Sequence, residues 1–564
     1  MIKDQITQAL KTALGKIGLE TDAIAITSPS NTTFGDYTTN IALQLAKTVK
    51  KNPFALAEEI AQAIDTTGVI MKAEAYKPGF VNIWVNQQVL QTYLQEILKD
   101  TITVPEYHLG AQKKIMFEFA HPNTHKLFHI GHLRNISTGE TMVRLYEAVG
   151  NKTISVNYQG DVGMHIAKCL WRLKQMFSED ATLDIKNLPL REKIELLGKA
   201  YSQGSAAFES DEKAKQEIID TNKKIYTQDP EIKQIWEETR GWSLEYFDEI
   251  YKLVGTKFDR LYFESEFADR GLEIAHQAVT DGILEKSDGA IILNGEKHGV
   301  HTRVFVNSQG FPTYEGKEIA LAETEFKEFG ELDKNIHVLG GEQQSFFKTA
   351  VKAQELIDPS IVGKQYHLIY GWVDVKGQKM SSRKGNIVEA EWLINEAKKA
   401  IIAEYESSEE VAQALAIAAI KYAFLKNGIL TSVMFDLSDA INLHGDSGPY
   451  LLYTYVRAKS VLAKEAKPEV STAEYKPNDD ELQIMRKLIK FPDIVLEAAK
   501  QFAPNYLTSY LYDLAQLFNL FYQNNPILKS SDAEKAFRLE LTQAVTMIMK
   551  KGLYLLGIPT VEKM

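Results

Sequence analysis

Apolar and polar positions change their spacing along the chain, and the changes divide it into three parts. Apolar residues recur at helical spacing through Ala42–Val49 and Leu56–Ile64, then alternate in Phe80–Val85, a strand introduced by Pro78-Gly79. This predicts a small α/β module over residues 1–107. From Lys113 the pattern becomes a buried run, Ile115-Met-Phe-Glu-Phe-Ala120, then a polar loop, a helix from about Gly131 to Gly150, and a second strand over Thr153–Tyr158. A strand, a helix and a strand of these lengths make a parallel crossover, so residues 108–390 are expected to hold a doubly wound parallel sheet. The stretch from about Leu170 to Phe263 is helical and charge-rich, so an insertion over about 170–290 is expected. Ala290–Leu293, Val304–Val306 and Ile336–Leu339 then resume strand composition, which makes the sheet discontinuous in sequence. Residues 391–564 are nearly all helical, and Leu507, Leu511, Leu514, Phe518 and Phe521 mark one buried face of an all-α bundle.

Composition narrows the class without naming a function. The 564 residues are 45% hydrophobic and 25% charged, which is ordinary for a globular chain of several domains. The single cysteine, Cys169, excludes a disulfide framework and fits a reducing compartment. The first residues lack the apolar core of a signal peptide, and no apolar run approaches the ~20 residues of a membrane span. A cytoplasmic protein with no membrane partner is therefore expected. A net charge of −11 argues against indiscriminate coating of nucleic acid but permits local basic surfaces for one shaped RNA.

Candidate chemistry is concentrated in Pro122-Asn-Thr-His-Lys-Leu-Phe-His-Ile-Gly-His132, between the first strand of the sheet and its helix. Loops at the carboxyl ends of parallel strands are where such folds bind ligands. His129 and His132 are three apart, on one face near the positive end of the helix, where phosphate oxygens are favoured. Gly131 between them leaves room for an adenine ring or ribose, and Lys126 adds a cation. His121, His125, His129 and His132 also resemble a metal cluster, but Pro122 interrupts the helical spacing and no H-E-x-x-H pattern completes it. His121 and His125 are the better candidates for a purely structural role. Downstream, Gly377-Gln-Lys-Met-Ser-Ser-Arg-Lys-Gly-Asn386 carries three cations and two hydroxyls. Such a loop can follow the charge that builds on a departing pyrophosphate.

These residues carry a resemblance. His129-Ile-Gly-His132 matches the HIGH signature, and Lys379-Met-Ser-Ser-Arg383 resembles the KMSKS signature, of class I aminoacyl-tRNA synthetases. A wider match is to the arginyl-tRNA synthetase family. It runs through Phe117-Glu-Phe-Ala-His-Pro-Asn123, Asn157-Tyr-Gln-Gly-Asp161, Thr313-Tyr-Glu-Gly-Lys-Glu318 and Gln343, through Phe34-Gly-Asp-Tyr37 near the amino terminus, and through Gly448 to Arg457 and Tyr510 to Asn519. The resemblance implies a Rossmann-like catalytic domain, an added amino-terminal domain that grips tRNA, and a helical anticodon-binding domain. It also implies activation of L-arginine by ATP carried with Mg²⁺, transfer to tRNA(Arg), no tightly bound cofactor and a monomer. By the same resemblance, His129, His132, Lys126 and Lys379 serve catalysis, and Gly131, Met380, Ser381 and Ser382 join the histidines and Lys379 at ATP. Glu118, Asn123, Tyr314, Glu318 and Gln343 meet arginine, and Tyr453 and Arg457 meet RNA. A planar guanidinium is best selected by carboxylates that accept paired hydrogen bonds, the work assigned to Glu118 and Glu318. A structural ion pair is the alternative for each.

The chain departs from the family pattern in three places. Ser382 replaces the second lysine of KMSKS, Glu318 replaces an aspartate, and Gly340-Gly-Glu342 departs from the small and basic residues that precede the glutamine. The resemblance shares the missing charge between Lys126 and Lys379. A class I synthetase for another amino acid and a non-catalytic tRNA-binding paralogue are the alternatives.

Overall fold

Ile115 to Glu118 are all buried, as a central strand of a parallel sheet must be, and they belong to the middle strand of five. β1 (Lys114–Glu118), β2 (Lys152–Gln159), β3 (Arg260–Phe263), β4 (Lys334–Gly340) and β5 (Gln365–Tyr370) pair in parallel in the order β5-β4-β1-β2-β3. The chain builds outward from β1 through β2 to β3, then returns to add β4 and β5 on the other side. The connections therefore reverse between β1 and β4, and a crevice opens at the carboxyl ends of those two strands.

The computed structural model describes residues 2–29, 32–179, 185–377, 388–465 and 475–564. They form two compact units, one of Glu106–Tyr453, Val495–Ser509 and Leu553–Met564, the other of Met1–Pro105, Thr454–Ile494 and Tyr510–Gly552. None of their helices is long and apolar enough to cross a membrane.

In the first of these units the strand pleat sorts side chains onto two faces. Phe117 points to helix α1 (Ile130–Ala148) and meets Tyr146 with ring centroids 5.3 Å apart. Met116 and Glu118 point the other way, where α2 (Glu264–Thr280) and α3 (Tyr314–Glu328) cover the sheet. Met116, Val156, Tyr262, Phe267, Ile319 and Ala320 share the core cluster there. The two helices approach closely because Gly271 has no side chain: a Cβ there would lie 2.1 Å from the Gly316 carbonyl oxygen. Register then sets the chemistry, because Glu118 stands directly beside His337 of β4 and Val156 of β2.

Two expectations from sequence are corrected here. Ala290–Leu293 and Arg303–Val306 do not extend the parallel sheet; with Glu285–Ser287 they form a separate three-stranded antiparallel sheet. Asp288 and Gly289 join the first two strands with φ of 49° and 79°, a two-residue turn that connects antiparallel neighbours. The inserted helices, Met164–Glu179, Leu190–Ser210, Glu212–Tyr226 and Pro230–Val254, also end earlier than expected, because β3 re-enters the sheet at Arg260. Buried Asp161 ties them to it, accepting from Arg240 Nε at 2.7 Å and from Ser265 N at 2.8 Å. A further break in the helical carboxyl-terminal region is Val433–Phe435, which pairs in parallel with Val373–Val375.

The second unit holds a four-stranded antiparallel sheet, ordered Ile26–Thr27, Tyr37–Thr39, Phe80–Val85 and Ile70–Tyr76, with helices against it. Asp36 accepts from Val85 N at 2.7 Å and faces Arg486 Nε at 3.2 Å. Leu507, Leu511, Leu514, Phe518 and Phe521 are all fully buried along Pro504–Asn524, as their spacing requires.

A Cβ so close to a backbone carbonyl cannot be relieved by side-chain rotation. Gly271→Ala is therefore expected to destabilise the sheet unit by ~1–3 kcal/mol, read as a lower urea midpoint. An unchanged midpoint would show that the α2 and α3 backbones have slack.

Candidate active site

At the carboxyl end of β1 the chain turns through Ala120 and His121, both left-handed with φ of 81° and 49°. Non-glycine residues rarely hold that conformation, and two in succession need anchors. Ala120 N donates to Asn135 Oδ1 at 2.6 Å, and His121 N donates to Asn157 Oδ1 at 3.1 Å. Asn135 Nδ2 in turn donates to the Val338 carbonyl of β4 at 2.7 Å, so one amide spans the crevice.

His129 is the cap of α1 rather than a residue within it. Its Nδ1 accepts from Gly131 N at 3.1 Å, and its own N–H donates to His132 Nδ1 at 3.1 Å. The two rings stack with centroids 3.7 Å apart. Since each Nδ1 accepts a main-chain proton, each neutral ring carries its hydrogen on Nε2, free to donate to an anion. Burial and the Lys126 ammonium lower His129 to about 4, while burial and the ring of His129 hold His132 well below the usual histidine range. Gly131 serves this cap directly, for a Cβ there would press on the His129 ring at 3.0 Å.

Two cavities meet at this turn. One, of about 770 Å³, is lined by His129, Gly131, His132, Asn135, Tyr370 and Trp372, among others. The other, of about 380 Å³, is lined by Glu118, Tyr158, Glu264, Tyr314, Glu318 and Arg303, among others. His121, Asn123, Glu342 and Gln343 line both. The structure thus brings together Glu118, Asn123, Tyr314, Glu318 and Gln343 in one cavity and the two HIGH histidines and Gly131 in its neighbour.

The smaller cavity is acidic. Glu118, Glu264 and Glu318 on its wall are buried, as are Glu315 and Glu325 behind it, and Lys317 forms an ion pair to Glu264. Burial, and then the neighbouring Glu118 and Glu264, raise the Glu318 carboxyl well above the ordinary range. His337 Nδ1 lies 3.1 Å from Glu118 Oε2 and His121 Nδ1 lies 3.3 Å from Oε1. The expectation that His121 is merely structural is therefore corrected, since its left-handed backbone turns it toward both cavities. His125 is structural: buried, with Nε2 2.7 Å from Thr239 Oγ1, and lowered to about 3 by burial and Arg240.

Lys379, Met380, Ser381 and Ser382 lie outside the described residues. Both flanks of that loop are tied to α1. Ile130 N donates to the Val388 carbonyl at 3.0 Å and Ala390 N to the Phe128 carbonyl at 2.8 Å. Buried Arg134 donates at 2.6 Å to the carbonyls of Trp372 and Thr431. The Lys126 ammonium lies 4.8 Å over the Tyr201 ring. On the helix Gly448–Leu462, the Arg457 guanidinium donates to Asn519 Oδ1 at 2.6 Å and lies over the Tyr522 ring, and Tyr453 is half-buried. Glu264 was missed in the sequence although it directly follows β3, at the carboxyl end where site residues gather. His337 had no such signal, because strand register alone brings it here.

A doubly wound parallel sheet with a histidine cap at its switch point, and a Lys-Met-Ser-Ser segment downstream, defines a class I aminoacyl-tRNA synthetase. The family model for the class I (R) tRNA synthetase catalytic domain matches residues 93–437, that for the arginyl tRNA synthetase N terminal domain residues 1–85, and that for the DALR anticodon binding domain residues 451–564. An arginine–tRNA ligase of Halothermothrix orenii is 30% identical over 100% of this chain and 99% of its own. Another, arginine–tRNA ligase 1 of Bacillus thuringiensis, is 32% identical over 96% of this chain and 95% of its own. The solved arginyl-tRNA synthetase of Thermus thermophilus shares the fold at 23% identity, with a TM-score of 0.79 over the whole of both chains. The chain belongs to the arginyl-tRNA synthetase family.

Neutral buried histidines tie stability to pH. His125 and His129 bind protons below the unfolded value of 6.5 only after unfolding, so stability is expected to fall as pH drops from about 6.5 toward about 4. Urea midpoints at about pH 7.5 and about pH 5 should show the decline, with a smaller one in His125→Gln. A midpoint flat across that range would count against buried neutral rings.

Proposed function

We propose that this chain binds L-arginine in the acidic cavity and ATP in the histidine-lined cavity, joins them as arginyl-adenylate, and transfers the arginyl group to tRNA(Arg). The observation that carries the reading is the excess of buried carboxylates, Glu118, Glu264 and Glu318, lining a cavity that shares its wall with the histidine site. A guanidinium with five donors satisfies such a wall, whereas a neutral side chain would leave buried acceptors unpaired. Asn123 and Gln343, on the shared wall, orient the amino acid so that its carboxylate faces the nucleotide.

In the first step a carboxylate oxygen of arginine attacks the α-phosphorus, and the bond to the bridging oxygen of pyrophosphate breaks. The Nε2–H groups of His129 and His132 donate to the α-phosphate oxygens as charge builds there. Lys379 and Lys126 follow the pyrophosphate, and Mg²⁺ travels as its counterion. In the second step a ribose hydroxyl at the 3′ end of the tRNA attacks the arginyl carbonyl carbon and AMP leaves. Residues 1–107 and 391–564, the latter including Tyr453 and Arg457, hold the tRNA, and residues 108–390 carry out the chemistry. The protein acts as a cytoplasmic monomer in this reading.

ATP–pyrophosphate exchange, run with each amino acid and with or without total tRNA, is expected to depend on arginine. Exchange driven by another amino acid would remove the specificity and keep the class I chemistry; none at all in folded protein would favour a non-catalytic tRNA-binding paralogue. Glu318→Gln is expected to raise KM for arginine by roughly ten- to a hundredfold, with KM for ATP little changed.

Burial, and then the neighbouring carboxylates, raise Glu318 in the free protein, and an entering guanidinium would pull it back down. Arginine binding is therefore expected to release a proton. Calorimetry in buffers of different ionisation enthalpy would show this as a buffer-dependent heat that Glu318→Gln abolishes, and a buffer-independent heat in the wild type would contradict it.

A further inference from the structure

Behind the acidic cavity, Glu118 is approached by groups that do not line the cavity themselves. One approach is a chain of amides whose direction can be read from its far end. The main-chain carbonyl of Glu318 can only accept, and Gln354 Nε2 donates to it at 2.9 Å. That leaves Gln354 Oε1 to accept from Gln365 Nε2 at 3.2 Å, and Gln365 Oε1 to face His337 Nε2 at 2.6 Å. His337 Nε2 therefore bears a proton. Its Nδ1 lies 3.1 Å from Glu118 Oε2, within ion-pair distance though not aligned for a hydrogen bond, so a second proton on the ring would set a positive charge against the carboxylate.

The other approach is a second acid. Glu325 of α3 is fully buried, and its Oε2 accepts from Asn335 Nδ2 at 2.7 Å. Asn335 stands two residues from His337 on the same face of β4, beside Met116, while His337 stands beside Glu118. The Glu325 carboxyl meets that of Glu118, and no N–H or O–H of the described residues reaches its Oε1. Two facing carboxylates with no donor between them are costly when buried, and a single proton on Oε1 supplies the donor.

We propose that His337 and Glu325 are positioning residues for arginine selection: His337 as an imidazolium and Glu325 as a neutral acid together fix the Glu118 carboxylate from behind. The proposal rests on the assignment of Glu118 to the arginine cavity. Burial, and then Glu118 and Glu318, push the Glu325 carboxyl well above its ordinary range. Burial opposes charge on His337, but the adjacent Glu118 outweighs it and raises the ring. With His337 close to Oε2, His121 close to Oε1 and the Glu325 acid behind, Glu118 is held facing the cavity, as paired hydrogen bonds to a planar guanidinium require.

The test uses the full chain in tRNA-supplemented ATP–pyrophosphate exchange. A glutamine at 325 can donate to Glu118 and accept from Asn335 as a neutral acid does; a leucine can do neither. E325Q is expected to hold KM for arginine within about twofold, and E325L to raise it about tenfold with KM for ATP unchanged. Q365L, which removes the acceptor for His337 Nε2–H, is expected to raise KM for arginine severalfold. An infrared difference spectrum, wild type minus E325Q, should show the carbonyl stretch of a protonated carboxyl, a readout independent of how E325L folds. Equal impairment of E325Q and E325L, or no such band, would overturn the proposal, as would E325L with an unchanged KM. E118Q separates the two levels. If E118Q raises KM for arginine and E325L does not, the positioning proposal fails while the cavity assignment stands; if E118Q has no effect, the cavity assignment itself fails.

Discussion

Asn135 sits where the two halves of the parallel sheet meet with their connections running in opposite senses. Its amide accepts from Ala120 and donates to Val338, so it bridges the carboxyl ends of β1 and β4 at the point where no strand connection does. The left-handed turn at Ala120 and His121 depends on that bridge, because neither residue would hold its conformation without anchors. The next residue back, Arg134, reaches in another direction to the carbonyls of Trp372 and Thr431. Five residues earlier, His129 caps the same helix. A turn and a half of α1 therefore ties together the histidine-lined cavity, the acidic cavity and both flanks of the segment that carries Lys379.

The two cavities differ in how they treat charge. At the cap, burial keeps His129 and His132 neutral, and the capping geometry leaves their Nε2–H groups as donors. Across the shared wall carboxylates accumulate: burial and their acidic neighbours raise Glu318 and Glu325, while His337, against burial, holds Glu118 below the usual carboxylate range. An anion is met by neutral donors and a cation by a reserve of negative charge. The shared residues His121, Asn123, Glu342 and Gln343 mark where the two reactants would touch.

The departures from the family pattern read differently with the fold in hand. Glu318 is buried on α3, and its main-chain carbonyl also begins the amide relay that ends on Glu118. Glu342, which breaks the usual pattern before Gln343, lines both cavities. Close backbone approach at Gly271 and Gly316 sets how deeply α3 seats, and so where Glu318 reaches.

Local order was legible in the sequence because it depends on neighbours in the chain. The spacing of Leu507 to Phe521 gave a buried helical face, the run from Ile115 gave a central strand, and the loop before α1 lies against both cavities. What the sequence could not settle was which distant segments lie side by side. Ala290–Leu293 and Val304–Val306 have the composition of sheet strands, and the Asp288-Gly289 turn placed them in a separate antiparallel sheet. His121 looked structural until the left-handed backbone aimed it at Glu118, and His337 carried no signal until β4 registered against β1. A side chain's type is written in the chain, but its protonation and its aim follow from burial and from partners two hundred residues away, which only the packed structure supplies.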